Sequence, residues 1–102
     1  MAYHITHVNG AVESSPPLII LPCLLDELTT ADAEHGDVAL THESEWCISV
    51  SRSGYVVLEH LEDGGPRHMR DVPREKILDL LARLARGELA TIQAELWSPG
   101  YQ

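Results

Sequence analysis

Histidines and carboxylates are the residue types in this sequence that could carry a reaction or hold a metal. His42, His60 and His68 fall on three different predicted strands, and Glu59 directly precedes His60. In an antiparallel sheet these side chains could converge, and two histidines with a carboxylate suit zinc or iron. Sequence spacing does not dictate that convergence. Surface or hydrogen-bonded histidines are therefore the favoured interpretation, and a small metal-dependent enzyme is the alternative.

Nucleophilic residues give a weaker signal. The serines lack a Gly-x-Ser-x-Gly motif, and Cys23 and Cys47 are not spaced as a Cys-x-x-Cys pair. Gly64 and Gly65 indicate a turn. A phosphate-binding loop would need a strand before the glycines and a helix directly after them, and the sequence does not predict that order here. We therefore predict no catalytic residue and no cofactor. We expect both cysteines to be buried thiols rather than a disulfide.

The charge of the chain restricts its partners. The 102 residues include 7 Lys or Arg and 16 Asp or Glu, which gives a net charge of −9. All the basic residues lie after position 51, whereas half of the acids precede it. The shortage of Lys and Arg disfavours nucleic acid as the main partner. No signal-peptide pattern is present, and the longest apolar run, residues 18–25, is far shorter than the ~20 residues of a membrane span. We expect a cytoplasmic protein that makes no membrane contact.

The elements that must position these residues can be read from the hydrophobic pattern. Strands are predicted at residues 3–8, 38–43, 46–51 and 55–60, with a short return strand at 67–71. Helices are predicted at about 20–31, from Pro73 to Gly87, and at 88–95. The first helix could begin anywhere between residues 16 and 22, because prolines occupy that stretch.

The order of these elements predicts the fold class. Successive strands joined by so few residues must be antiparallel neighbours. The order β-α-β-β-β-β-α-α predicts a single α+β domain over residues 1–102. We expect an antiparallel sheet of four to five strands, with the first strand at an edge and two or three helices packed on one face.

Several segments together resemble a known family. They are a leucine-rich helix, an acidic connector, the segment His42-Glu43-Ser44-Glu45-Trp46, a Gly54-containing hairpin, a basic strand, a Pro73-started helix and the closing Trp97-Ser98-Pro99-Gly100-Tyr101. In this arrangement the chain resembles the small immunity proteins of bacterial polymorphic toxin systems, in particular those associated with deaminase or nuclease toxins. The resemblance implies a non-enzymatic α+β protein that binds and blocks a cognate toxin.

The acidic first half suggests where a partner would bind. Toxins that act on nucleic acids carry basic clefts, and an acidic protein would be steered towards such a cleft. The candidate contact residues are Asp32, Glu34, Asp37, Glu43, Glu45, Trp97 and Tyr101. Two alternatives stay open: the acids serve solubility alone, or the chain is a homodimeric accessory or regulatory subunit that associates through sheet edges or the apolar segment 18–21. Trp97 either staples the chain terminus, which is favoured, or docks on the partner.

Overall fold

A computed structural model describes residues 2–30, 36–52 and 54–100 of the chain. The strands in these ranges are β1 (Tyr3–Thr6), β2 (Val12–Ser14), β3 (Asp37–His42), β4 (Trp46–Ser51), β5 (Val56–His60), β6 (Gly64–Met69) and β7 (Ser98–Pro99). The helices are α1 (Leu21–Asp26), α2 (Arg74–Ala85) and α3 (Leu89–Gln93). Two short 3₁₀ segments, Leu18–Ile20 and Glu27–Thr30, flank α1.

The described strands form one antiparallel sheet in the order β2-β1-β3-β4-β5-β6-β7. The α+β class and the antiparallel pairing are therefore confirmed. The predicted strand number is too low, since the sheet has seven strands in the described ranges rather than four or five. The two additional strands are β2 and β7, which lie at the two edges.

The first strand is not an edge, contrary to the prediction. It lies between β2 and β3, and Ile5 pairs with Glu13 on one side and with Leu40 on the other. The edge strands escaped prediction because neither shows the alternation of a half-buried strand. All three residues of β2 are exposed, and β7 is two residues long and ends in Pro99. Short, polar or proline-containing edges resist unwanted strand addition.

One face of the sheet carries the hydrophobic core. Ile5, Leu40, Ile48 and Leu58 stand side by side on β1, β3, β4 and β5, and all four are fully buried. The apolar stripe of α2 packs against this row through Ile77, Leu80, Leu81 and Leu84. A buried leucine contributes about 1.5–3 kcal/mol relative to an exposed one. This packing places the described helices over the core face, as predicted.

The helix boundaries differ from the sequence prediction in ways that the prolines and glycines explain. The first helix is confined to Leu21–Asp26, with Pro22 in its first turn, where the missing N–H costs no hydrogen bond. The following 3₁₀ segment continues the buried face to Leu28. Pro73 is the N-cap of α2 rather than its first residue, and Gly87 ends the helix with φ +76°.

Candidate functional site: an acidic end of the sheet

Two strand reversals lie side by side at one end of the sheet. Antiparallel order places the β3–β4 turn, residues 43–45, beside the β5–β6 turn, residues 61–63. Trp46 pairs with His60 just inside the two turns, and the backbone N–H of Leu61 donates to the carbonyl of Glu45 at 2.9 Å. The turns are thus fixed relative to each other by the sheet itself.

A histidine caps each of these turns. The backbone N–H of Ser44 donates to Nδ1 of His42 at 3.1 Å. The N–H groups of Glu62 and Asp63 donate to Nδ1 of His60 at 3.3 and 3.2 Å. Each Nδ1 is therefore an acceptor, and in the neutral ring the proton is on Nε2. These two histidines organise the backbone of the turns.

The turns present a concentration of negative charge. Glu43, Glu45, Glu62 and Asp63 are all exposed, and these four residues are called the acidic end from here on. Glu43 accepts the backbone N–H of Ala2 at 3.2 Å. The two turns contain no Lys or Arg. The acidic end is consequently a local source of negative potential that faces solvent.

An open cavity of about 350 Å³ adjoins the acidic end. The described residues that line it include Tyr3, His42, Glu43, Glu45 and Leu61. Leu61 is 54 % exposed, so apolar surface lies next to the carboxylates. This combination suits a Lys or Arg side chain, whose stem packs on apolar surface while its charge faces a carboxylate.

Two features at this end depart from favourable local structure. Glu45 adopts φ +74°, in the left-handed region that non-glycine residues usually avoid. Nε2 of His42 is buried and has no hydrogen-bond partner among the described residues. Such strain and unpaired polar groups tend to occur at functional sites rather than in ordinary scaffold regions.

Of the other predicted contact residues, the structure describes Asp37 and Trp97, and neither lies at the acidic end. Asp37 is exposed, but it lies at the opposite end of β3, where it pairs with Ser51. Asp32, Glu34 and Tyr101 lie outside the described residues. Trp97 donates its indole N–H to the carbonyl of Ile92 at 2.8 Å and packs against the core, so its ring staples the segment after α3.

Glu62 and Asp63 belong to the acidic end but are not among the contact residues predicted from sequence. The sequence pattern marks them only as a reversal between two strands. In consecutive antiparallel hairpins, every second turn falls at the same end of the sheet. Applied to the predicted strands, that rule would have placed the turns at 43–45 and 61–63 together.

The structure does not assemble the alternative metal site. His42 and His60 project from the core face of the sheet, whereas Glu59 and His68 project from the other face. Nδ1 of His68 donates instead to the carbonyl of Gly100 at 2.9 Å. Within the described part of the chain, no three His, Cys, Asp or Glu side chains are arranged to hold a metal ion.

The two cysteines and a second open cleft lie outside the acidic end. Cys47 is buried, but Cys23 is exposed on α1, so the expectation of two buried thiols is wrong for Cys23. A cleft of about 590 Å³ lies between α1, the β4–β5 turn and the start of α2. The core residues at its base are almost completely buried from solvent. Its described lining contains no His, Cys or Tyr that could act as a base or nucleophile.

The basic residues of α2 form ion pairs with acidic residues of the same chain. Lys76 and Arg83 both bind Glu95, at 2.6 and 3.1 Å, and Arg83 also pairs with Asp79. Arg74 bridges to Asp26 on α1 at 3.0 Å. These contacts raise the pKa of Arg83, mainly through Asp79, and lower the pKa of Glu95, mainly through Lys76. The positive charge of α2 is thus offset locally.

The described residues define an α+β protein with a helix-covered antiparallel sheet and an acidic end. Comparison with known proteins found no matching family model, no matching curated protein and no matching solved structure. In the described ranges no helix has both the length and the apolar character needed to cross a membrane. The apolar segment 18–21 exposes Ile19 strongly while Leu21 is buried; homodimer formation through it stays a prediction.

Proposed function

We propose that this protein is a non-enzymatic cytoplasmic protein that binds and neutralises a basic protein partner, as the small immunity proteins that it resembles neutralise bacterial toxins. The observation that carries the proposal is the acidic end, where four exposed carboxylates occupy two adjacent turns. A surface of this kind complements the basic cleft of an enzyme that acts on nucleic acids. Occupation of that cleft would exclude the substrate.

The internal pairing of α2 supports this assignment of the contact surface. Because its basic side chains are held by Glu95, Asp79 and Asp26, they compete little with the acidic end for a cationic partner. Leu61 supplies an apolar contact among the charges. Interfaces gain affinity from such desolvated apolar anchors, whereas rim charges chiefly set the association rate.

The experiment uses the toxin domain encoded by a reading frame adjacent to this gene. Co-expression with this protein should restore growth of cells that produce the toxin domain. Absence of a toxin frame from the neighbourhood, or failure of co-expression to restore growth, would argue against the proposal.

Association kinetics then locate the contact surface. The double substitution Glu43→Lys with Glu45→Lys should slow association with the toxin domain by roughly tenfold or more at low salt. The matched control is Asp37→Lys with Glu75→Lys, which changes the net charge equally at two exposed positions outside the acidic end. Equal effects of the two variants would reject the acidic end as the contact surface, even if the proteins bind.

A further inference from the structure

A second charged cluster joins three separate segments of the chain. The imidazole of His7, just after β1, lies between two carboxylates: Nδ1 is 2.6 Å from Glu27 Oε2 and Nε2 is 3.1 Å from Glu13 Oε1. Glu13 belongs to the edge strand β2, and Glu27 begins the 3₁₀ segment after α1. The ring therefore connects the sheet edge to the helical layer.

This geometry requires a doubly protonated ring. A carboxylate only accepts hydrogen bonds, so both ring nitrogens must carry a proton for both contacts to form. The neutral ring keeps one proton and can satisfy one carboxylate. Its other nitrogen then directs a lone pair at a carboxylate oxygen, which is repulsive.

The two contacts are not equivalent, and the difference determines which one is lost. Glu27 is held in place by a second bond, because its Oε1 accepts the backbone N–H of Val8 at 3.0 Å. The contact of His7 with Glu27 is also the shorter one. A neutral ring therefore keeps its proton on Nδ1, and the bond to Glu13 is the one that disappears.

The edge strand depends on few other contacts. All three residues of β2 are exposed and bury no side chain in the core. The strand is held by backbone pairing with β1. Beyond its end, the N–H and the hydroxyl of Ser15 donate to the Tyr3 carbonyl at 2.7 and 3.1 Å, and the Tyr3 hydroxyl donates to the carbonyl of Pro16. Segments with this little burial open at a low free-energy cost.

We propose that His7 is a pH-sensitive clasp that holds β2 on the sheet while its imidazole is doubly protonated and loosens β2 when Nε2 loses its proton. This device is independent of the proposed partner. The charged groups acting on the ring, among the described residues, are Glu27 and Glu13, and their hydrogen bonds raise the pKa of His7. A group with a raised pKa stabilises the fold fully below its unfolded value, about 6.5, and this stabilisation is lost as the pH rises through the folded value.

Amide hydrogen exchange of the full chain, followed by NMR and corrected for the intrinsic pH dependence, tests the clasp. Two amides report on the edge: His7 N–H, which donates to Ala11 at 2.7 Å, and Ser15 N–H. Their protection should fall severalfold between pH 5.5 and pH 8.5. The ¹⁵N signal of His7 Nε2 should move to the range of an unprotonated nitrogen over the same interval.

A matched substitution separates the clasp from a general effect of pH. In Glu13→Gln the side-chain amide can accept from a protonated Nε2 and donate to an unprotonated one, so the edge should stay protected at both pH values. The control His4→Gln, on the same strand, should retain the wild-type pH dependence. The proposal would be overturned if the protection of the edge amides in the wild type did not depend on pH, or if it still depended on pH in Glu13→Gln. It would also be overturned if the Val8 amide lost as much protection as the Ser15 amide.

Discussion

The backbone N–H of Leu61 donates to the carbonyl of Glu45 at 2.9 Å, and this bond joins the two turns of the acidic end. Glu45 also donates its own N–H to the carbonyl of His42 at 3.0 Å, which closes the β3–β4 turn. Both bonds form with Glu45 at φ +74°, a conformation that glycine would adopt with less strain. A carboxylate therefore occupies a position where local stability favours glycine.

The substitution Glu45→Gly should raise the stability of the protein and weaken its binding to the partner. A non-glycine residue in the left-handed region costs about 1–2 kcal/mol, and replacing it by glycine removes this cost. Glycine also has a greater chain entropy in the unfolded state, which offsets about 0.5–1 kcal/mol of the stability gained. We expect the free energy of unfolding to rise by up to about 1 kcal/mol in chemical denaturation, while association with the basic partner slows.

The variant Glu45→Gln is the control for this experiment. It removes the charge but keeps a side chain in the strained conformation. It should slow association as Glu45→Gly does, without the gain in stability. A gain in stability for both variants would show that charge repulsion at the acidic end, rather than backbone strain, limits the stability of the turn.

The substitution Gly54→Ala should disrupt the junction between the β4–β5 turn and the start of α2. Gly54 has φ +81°, and a Cβ there would lie 3.0 Å from the carbonyl oxygen of Val72 and 3.2 Å from its nitrogen. The Val72 N–H also donates to the Gly54 carbonyl at 3.0 Å, so the two backbones cannot separate without losing a bond. We expect a loss of more than the ~1–2 kcal/mol that the dihedral angle alone costs.

Gly10→Ala measures the dihedral cost alone. Gly10 has φ +91°, but a Cβ there would have no atom within 4 Å. Thermal or denaturant unfolding of both variants should therefore show the larger destabilisation for Gly54→Ala. Equal losses would contradict the close approach of the two backbones.

Residues with a periodic pattern could be located from sequence, and residues without one could not. In Trp46–Ser51 the large apolar residues fall at every second position, and the segment forms β4 within the predicted bounds. The α2 stripe is equally clear because its four apolar positions follow the helical repeat. The edge strands lack such a signal because edge residues need not be buried. The resulting error in strand number also placed β1 at an edge.

The same distinction applies to the candidate site. Glu43 and Glu45 were identified by charge, which is visible in sequence. Asp37 lies at the other end of β3 from these two residues, and only the pairing of strands shows which turns are neighbours. The exposure of Cys23 was missed for a related reason, since an apolar sequence neighbourhood does not determine which face of a short helix a residue occupies.

The two thiols should react at very different rates with a disulfide reagent such as Ellman's reagent. Cys23 is exposed, whereas Cys47 is buried on β4 and accepts a hydrogen bond from Thr41 at 3.4 Å. Burial raises the pKa of the Cys47 thiol, so little reactive thiolate is present near neutral pH. We expect one fast thiol in the native protein and two after denaturation. In Cys23→Ser the fast phase should vanish, and a persistent fast phase would contradict the burial of Cys47.

The ion pairs around Glu95 should make part of the stability sensitive to acid. Hydrogen bonds from Lys76 and then Arg83 lower the pKa of Glu95 below its ordinary value, and the carboxylate tethers the segment after α3 to α2. This stabilisation is complete above the unfolded pKa, about 4.3, and is lost as the pH falls through the lower folded value. Glu95→Gln should therefore lower the free energy of unfolding at pH 7 by about 0.5–1 kcal/mol, in line with other solvent-accessible pairs. The difference from the wild type should vanish near pH 2.

The control is Glu88→Gln, which affects only the exposed pair with Arg86. Its free energy of unfolding at pH 7 should change less than that of Glu95→Gln. If the loss of stability in Glu95→Gln did not depend on pH, it would come from packing and not from the ion pairs.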